Sequence, residues 1–459
     1  MRKILIIFLG LLAVTTQALA GQIGNLTYSG YIKNETSLNY QTHQLSKFKN
    51  IVQLGAEYKL NDNFTFFGSA RYWYDNVYSW YGKYDPAQDQ MQHVQRTDWL
   101  RDLYLDFNSG PWFIRVGKQQ VAWGQADGIT ILDRVNPVDL TEYWLPDAVD
   151  IRIPVGMLNI NYSPKTNSNL QLLIIPDFQQ STGAPPGAPF AFRSYRLFDI
   201  AKQLAGPNLN TNIYYPPMRF NTSKFGAQWQ DRFHDWEYTL NYLYGYDYLA
   251  RTYADKPFSR FVPPPWYYSR RFKIDQLAGG SLNHTFAQKG ILEGLTVRGE
   301  GAVIINEPTY YGDPAAGNSA GVARWNNIFW LVGLDRYFFT KLLASFQFAQ
   351  YIMEHDGPGI AGHPEYKPFN TYTYGAQDKM ENIFSLKLSA NFINDRFKPE
   401  IGWSFTDDNQ GKISPKISYE IIDNLVFSLG VHYFYGDERD SNGEFRKQNQ
   451  VYTMLKYNF

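Results

Sequence analysis

The chain has 459 residues, with 43 Lys plus Arg against 43 Asp plus Glu, and it contains no cysteine. The charge balance excludes a nucleic-acid binder, which needs a basic excess, and the missing thiols exclude disulfides, thiolate metal sites and thioether-linked haem. Aromatics reach 17%, with 35 tyrosines, yet mean hydropathy is -0.41. That pairing fits a membrane β-barrel, where only alternate side chains meet lipid and amphipathic rings collect at the two boundaries.

The chain opens with the basic segment Met1-Arg2-Lys3, an apolar run from Ile4 to Val14, and the small-x-small sequence Ala18-Leu19-Ala20. This is the pattern of a signal peptide over 1–20, cleaved before Gly21; a retained anchor is the competing reading. After residue 20 no stretch approaches the ~20 apolar residues of a spanning helix, which excludes a helical membrane protein.

Period-two alternation then takes over. Val52, Leu54, Ala56, Tyr58 and Leu60 share one face of their segment, with Gln53, Glu57 and Lys59 on the other. Trp236, Tyr238, Leu240, Tyr242, Tyr244 and Tyr246 oppose Glu237, Thr239 and Asn241. The same alternation recurs in 384–392, and in 412–421 Lys412, Ser414, Lys416, Ser418 and Glu420 oppose an apolar face.

Such segments fall near 24–40, 48–60, 63–76, 98–107, 111–123, 154–163, 168–176, 222–231 and 235–247. They continue near 271–284, 294–305, 325–337, 340–353, 379–392, 396–406, 411–421, 424–436 and 448–459. Many reach the ~9–11 residues that a tilted strand needs to cross a membrane, longer than the ~5–6 of a globular strand. The pattern predicts an all-β, antiparallel transmembrane barrel of about 18 strands, with 16 as the alternative, since such barrels keep even counts.

The connections support this. Those after even strands are short, such as Asn61-Asp62 and Phe338-Phe339, with Thr285 to Gly294 the longest. Those after odd strands include 77–97, 124–153, 177–221, 248–270, 306–324, 354–378 and 437–447. Short periplasmic turns and long extracellular loops are how outer-membrane barrels are built, and 21–459 reads as one such domain. Val451, Thr453, Leu455, Tyr457 and the terminal Phe459 share one face of the last strand. This ending resembles the terminal signature of outer-membrane barrels, and it should pair with the first strand.

Function is expected in the segment 124–153, which follows the fifth strand. It mixes apolar residues with charged ones, and the apolar ones need cover that a solvent-facing loop lacks. A loop folded into the lumen supplies it. Asp127, Asp133, Arg134 and Asp139 would then line or brace a constriction, with Asn136-Pro137 as a turn. On the fifth strand Arg115, Gln119 and Trp123 face the lumen, with Asp102 and Asp106 on the preceding strand as ion partners. Lys118 falls on the opposite face, at a cost of ~2–4 kcal/mol at mid-depth; a bulge, a boundary position or a covering subunit would relieve it.

The run from Arg115 to Gly124, then Asn136-Pro137-Val138-Asp139, Arg152-Ile153-Pro154 and Met157-Leu158, resembles an uncharacterised family of proteobacterial outer-membrane proteins. Tyr435-Gly436 and the ending Lys456-Tyr457-Asn458-Phe459 are similar too. Members are often encoded beside RND-type (resistance–nodulation–division) exporters and a periplasmic partner. The resemblance implies a role in moving a hydrophobic or lipid-like compound across the envelope.

The expected function is therefore an outer-membrane channel or transporter, without cofactor or metal, meeting outer-membrane lipid, a small-molecule solute and a periplasmic or RND-type export partner. Monomer and trimer both remain open. A general porin for small polar solutes is the alternative within the class. An outer-membrane lipid hydrolase built on Ser428 and His432 is the alternative outside it. His355, Asp356, His363 and Glu365 lie in one loop without ligand spacing, which reads as exposed polarity rather than a metal site. The Pro263-Pro264-Pro265 and Ala184 to Pro189 stretches read as packed loop surface, or as an entry platform.

Overall fold

The computed structural model describes residues 21–97, 99–129, 131–193, 209–256, 266–313, 318–354, 367–369 and 379–459. The leader segment 1–20, the Pro263 to Pro265 run and the loop residues His355, Asp356, His363 and Glu365 lie outside them.

Eighteen strands form the wall. They are β1 (Leu26–Asn39), β2 (Gln44–Lys59), β3 (Phe64–Asp75), β4 (Leu100–Ser109), β5 (Trp112–Gln119) and β6 (Val155–Lys165). Next come β7 (Ser168–Ile175), β8 (Lys224–Phe233), β9 (Trp236–Tyr246), β10 (Ile274–Thr285), β11 (Leu295–Asp313) and β12 (Asn318–Phe338). The circuit is completed by β13 (Leu342–Met353), β14 (Met380–Ala390), β15 (Phe397–Thr406), β16 (Gly411–Ile422), β17 (Leu425–Tyr435) and β18 (Gln450–Asn458). Each pairs antiparallel with the next, and β18 pairs with β1 from Asn39↔Gln450 to Tyr31↔Asn458, closing the barrel. Closure leaves no strand edge facing lipid, which a membrane span requires.

The exposure pattern inverts that of a water-soluble protein. Leu54, Leu240 and Tyr72 on the outer wall are among the exposed side chains, while Lys33, Arg71 and Arg101 inside are 8%, 7% and 2% exposed. Charged groups are almost never buried this far unless paired. Apolar-out, polar-in alternation along each strand produces the inversion.

At the seam, the Phe459 N–H donates to the Gly30 carbonyl at 2.9 Å, and the Gly30 N–H returns the bond at 2.7 Å. A Cβ on Gly30 would sit 2.3 Å from the Gln53 carbonyl and 2.9 Å from the Phe459 ring, so the close approach requires glycine.

Two stretches differ from the sequence reading. The fifth strand was expected to reach Trp123 but ends at Gln119. The buried Asn136 side chain accepts the Val121 N–H at 2.8 Å and donates to the Gln119 carbonyl at 3.2 Å, drawing the chain off the wall. The span 306–324 was expected to be a loop. Instead β11 and β12 run on as a projecting ribbon to Asp313 and from Asn318, after a register shift between Ile304 and Glu307. Asn306 takes a left-handed φ of 60° there, which Asn tolerates better than most residues.

Lys118 is the penultimate residue of β5, opposite Gly156 at the start of β6. It therefore sits at the long-loop end of the wall rather than at mid-depth.

The long loops pack over this end. Thr182–Gly183 pairs in parallel with Asp139–Leu140, and Leu209–Tyr214 pairs in parallel with Trp266–Arg271. Ala184, Ala188, Phe190 and Phe192 are buried there with Tyr143, Phe434 and Phe445. The Ala184 to Pro189 stretch is thus packed surface.

Candidate functional site: a loop across the bore

The segment 120–154 leaves β5, crosses the interior and returns at β6. Its two halves are held by different forces.

The first half, 123–135, is apolar. Trp123, Ile131, Leu132 and Val135 are at most 3% exposed. They cluster with inward side chains of successive strands: Met157, Leu173, Leu243, Leu277, Ala302 and Leu331. Each such side chain removed from water stabilises by about 1.5–3 kcal/mol. The alternation that keeps other inner faces polar is broken along this arc, and the loop covers the exception.

Polar contacts fix the register of this half. The Glu300 carboxylate on β11 accepts the Ala126 N–H at 2.7 Å and also the Gln125 N–H. Gly124 has φ 90°, and a Cβ there would lie 2.8 Å from that carboxylate, so only glycine fits. Arg298 donates to the Gln125 carbonyl and reaches Asp127 at 3.4 Å and Asp335 at 2.6 Å. Arg134 pairs with Glu307 at 3.1 Å, with Asp275 3.9 Å away.

The second half, 139–152, is held by charge to the opposite wall. Glu142 takes Lys49 at 2.7 Å and also Lys47. Asp150 takes Lys33 at 3.3 Å and Arg71 at 3.2 Å. Arg101 donates to the carbonyls of Val149 and Arg152 at 3.1 and 2.8 Å. Lys412 on β16 donates to the Trp144 carbonyl at 3.2 Å. Burial alone would raise the Glu142 pKa, but Lys47 and Lys49 outweigh it and bring it down to about 2. Asp133 and Arg152, 2.6 Å apart, join the halves; burial still leaves the Asp133 pKa raised.

The sequence-derived residues do not all take the same part. Asp127, Asp133 and Arg134 lie on the crossing segment, and Asp127 keeps 59% side-chain exposure. Asp139 caps the turn through the Thr141 N–H and accepts from Thr182 at 3.1 Å. Asn136, Gln119 and Trp123 are buried braces: Asn136 staples the loop base, Gln119 donates to the Met157 carbonyl at 3.2 Å, and Trp123 donates to Gln171 at 2.8 Å. Arg115 and Asp106 form a two-pronged pair at 2.7 and 2.8 Å, with the guanidinium 3.7 Å from the Tyr104 ring centre. Asp102 instead accepts from Ser69 at 2.9 Å.

Sequence reasoning missed Glu142, Asp150, Lys47, Lys49 and Glu300 as loop holders. The available signal was Lys33, Lys47 and Lys49 crowded on the inward parity of β1 and β2, with one inward acid, Glu35, nearby. Surplus buried charge demands a partner from elsewhere.

The coverage is uneven. Inner faces on β9 to β13 are sealed, with Leu243, Glu300, Leu331 and Gln347 at most 5% exposed. On β14 to β16 the inner-face residues, Thr406 apart, stay partly open. Ser428 and His432 lie just beyond this arc, but they do not engage each other: Ser428 bonds Ser418 at 2.8 Å, while His432 bonds Ser414 at 3.1 Å and stacks on Tyr452.

The chain belongs to DUF1302, described as a family of proteins of unknown function, whose model matches residues 32–459. No curated protein matches the sequence. Among solved structures it is similar to OccK3 (OpdO) of Pseudomonas aeruginosa, at 9% identity and TM-score 0.52, covering 95% of this chain and 96% of that one. OccAB3 of Acinetobacter baumannii gives 11% identity and TM-score 0.51, over 95% of this chain and 100% of that one. OccAB4 of the same organism gives 10% and 0.51, over 95% and 98%. Identities this low show the fold: an 18-stranded, porin-like barrel of the outer membrane.

Proposed function

We propose that this family member is an outer-membrane channel for a small solute, with its bore narrowed by segment 120–154. The observation that carries this reading is the two-sided anchoring of that segment, by Glu300 and Glu307 on β11 and by Lys33, Lys49 and Arg71 on β1 to β3. A loop tied across a lumen leaves a restricted path and fixed charges beside it, the elements from which pores draw selectivity. Asp127 and Arg134 are the proposed contacts of a passing solute; Asp133, Asn136, Asp139, Gln119 and Trp123 position them.

A hydrophobic or lipid-like cargo, delivered by a periplasmic or RND-type partner, follows from the family resemblance. A small polar solute is favoured by one structural observation. The apolar side chains of the loop are consumed in its own cluster, whereas the uncovered face of β14 to β16 is polar.

Purified full-length protein in planar bilayers tests the channel. Small, steady single-channel currents are expected; no current, together with no solute entry in liposome swelling, would refute it. Swelling with polar solutes of graded size, against uptake of an apolar dye, decides the cargo.

A further inference from the structure

The uncovered arc carries a pattern that the loop anchoring does not use. The inner faces of β14 to β16 are rich in hydrogen-bond donors. Ser385, Ser389, Ser404, Ser414 and Ser418 alternate there with Lys387, Lys398, Lys412 and Lys416. The inward acids on the same strands are Glu381, Glu400 and Glu420. Lys412 is occupied with the Trp144 carbonyl on the crossing loop.

At the middle of this track, three adjacent strands bring three charges together. Glu400 on β15 lies 3.4 Å from Lys387 on β14 and 3.3 Å from Lys416 on β16. Two cations share one carboxylate, so the cluster carries an excess of one positive charge. Its side chains remain 42%, 28% and 34% exposed for Lys387, Glu400 and Lys416. The basic residues of β1 to β3 contrast with this: Lys33, Lys47 and Arg71 are at most 12% exposed and already face loop acids. A pore-lining ring or cluster of lysines attracts anions, and hydroxyls beside it replace part of the hydration shell.

We propose that the β14 to β16 face is the conducting path, and that Lys387, Glu400 and Lys416 form its selectivity site, taking small anionic solutes. The inference rests on the channel reading above and adds the position and charge preference of the path. Glu400 sets the strength of the site by neutralising one of the two lysines. Ser385 and Ser404, directly opposed in register, and Ser414 lie on the same face.

The test is the reversal potential of the full-length protein in planar bilayers under a KCl gradient. Wild type is expected to favour chloride. Lys387→Gln with Lys416→Gln should bring the chloride-to-potassium permeability ratio to one or below. Glu400→Gln should raise it at least about twofold, a cluster change of one charge acting in a confined, weakly screened path. Inorganic phosphate should reduce chloride current in wild type and lose that effect in the double variant. Heat-modifiable migration on gels checks that each barrel is folded, and Glu400→Gln alone decides the matter where the double variant does not fold. Conductance retained with unchanged reversal potentials and unchanged phosphate block would overturn the selectivity site while leaving the channel standing. Absence of current in wild type would overturn both.

Discussion

The two halves of the crossing loop solve one problem by opposite means. Residues 123–135 are held by a dry apolar cluster against β6 to β13, and residues 139–152 by buried ion pairs against β1 to β3. The apolar cluster of the first anchor is non-directional and indifferent to pH and salt, while Glu300, Arg298 and Arg134 fix its register. The second is directional and depends on every charge finding its partner, because a buried ion left alone costs far more than the pair contributes. The difference teaches where the loop can let go: at its charged end.

The largest expected effect follows from that asymmetry. Glu142→Ala leaves Lys49 without its carboxylate and Lys47 with Glu35 alone, and should cost about 3–5 kcal/mol, read as a lowered urea midpoint of the liposome-embedded barrel and a larger, noisier conductance. Replacing Lys47, Lys49 and Glu142 together by apolar residues of similar volume should restore most of the stability, since removing whole pairs is often close to neutral. Equal losses in both variants would show that the charges are not coupled.

On the apolar side, Leu132→Ala should cost about 2–5 kcal/mol through cavity formation. This loss should not change with pH or with salt up to 1 M, the high-salt end of charge screening. A strong salt dependence would erase the contrast between the halves.

A pH series separates them further. The Glu142 carboxyl is lowered from its ordinary 4.5 to about 2. A depressed folded-state pKa gives stability that is complete above the unfolded value and lost as pH falls through the folded one. The charged anchor should therefore hold at neutral pH and weaken between about 4.5 and about 2, seen as rising conductance in that window. Rising conductance already at pH 6 would assign the transition to another group. The smallest effect belongs to the rim, where Arg232 and Glu237 pair with side chains 45% and 36% exposed. Glu237→Gln should change stability by no more than about 1 kcal/mol.

Much of the fold was legible because a two-residue period can be read without knowing partners. Trp236 to Tyr246 and Lys412 to Glu420 show their lipid and lumen faces in sequence, and both strands lie where alternation puts them. The fifth strand was overextended because the Asn136 side chain, sixteen or so residues on, captures the backbone at Gln119 and Val121. The β11–β12 ribbon was missed because Asn306-Glu307-Pro308 reads as a loop start, whereas here it is a register shift within a continuing pair. An inward loop could be inferred from its uncovered apolar residues. Its anchors could not, since Glu142 meets Lys49 93 residues away and Asp150 meets Lys33 117 residues away.

The crossing of the bore by 120–154 can be measured directly, because the chain has no native cysteine. Lys49→Cys and Glu142→Cys in one protein, treated with a short bis-maleimide in outer-membrane vesicles, should give an internally linked barrel with altered gel mobility and reduced conductance. Two thiols that each react with a monofunctional maleimide but never link, in a folded barrel, would place the loop elsewhere and contradict the account.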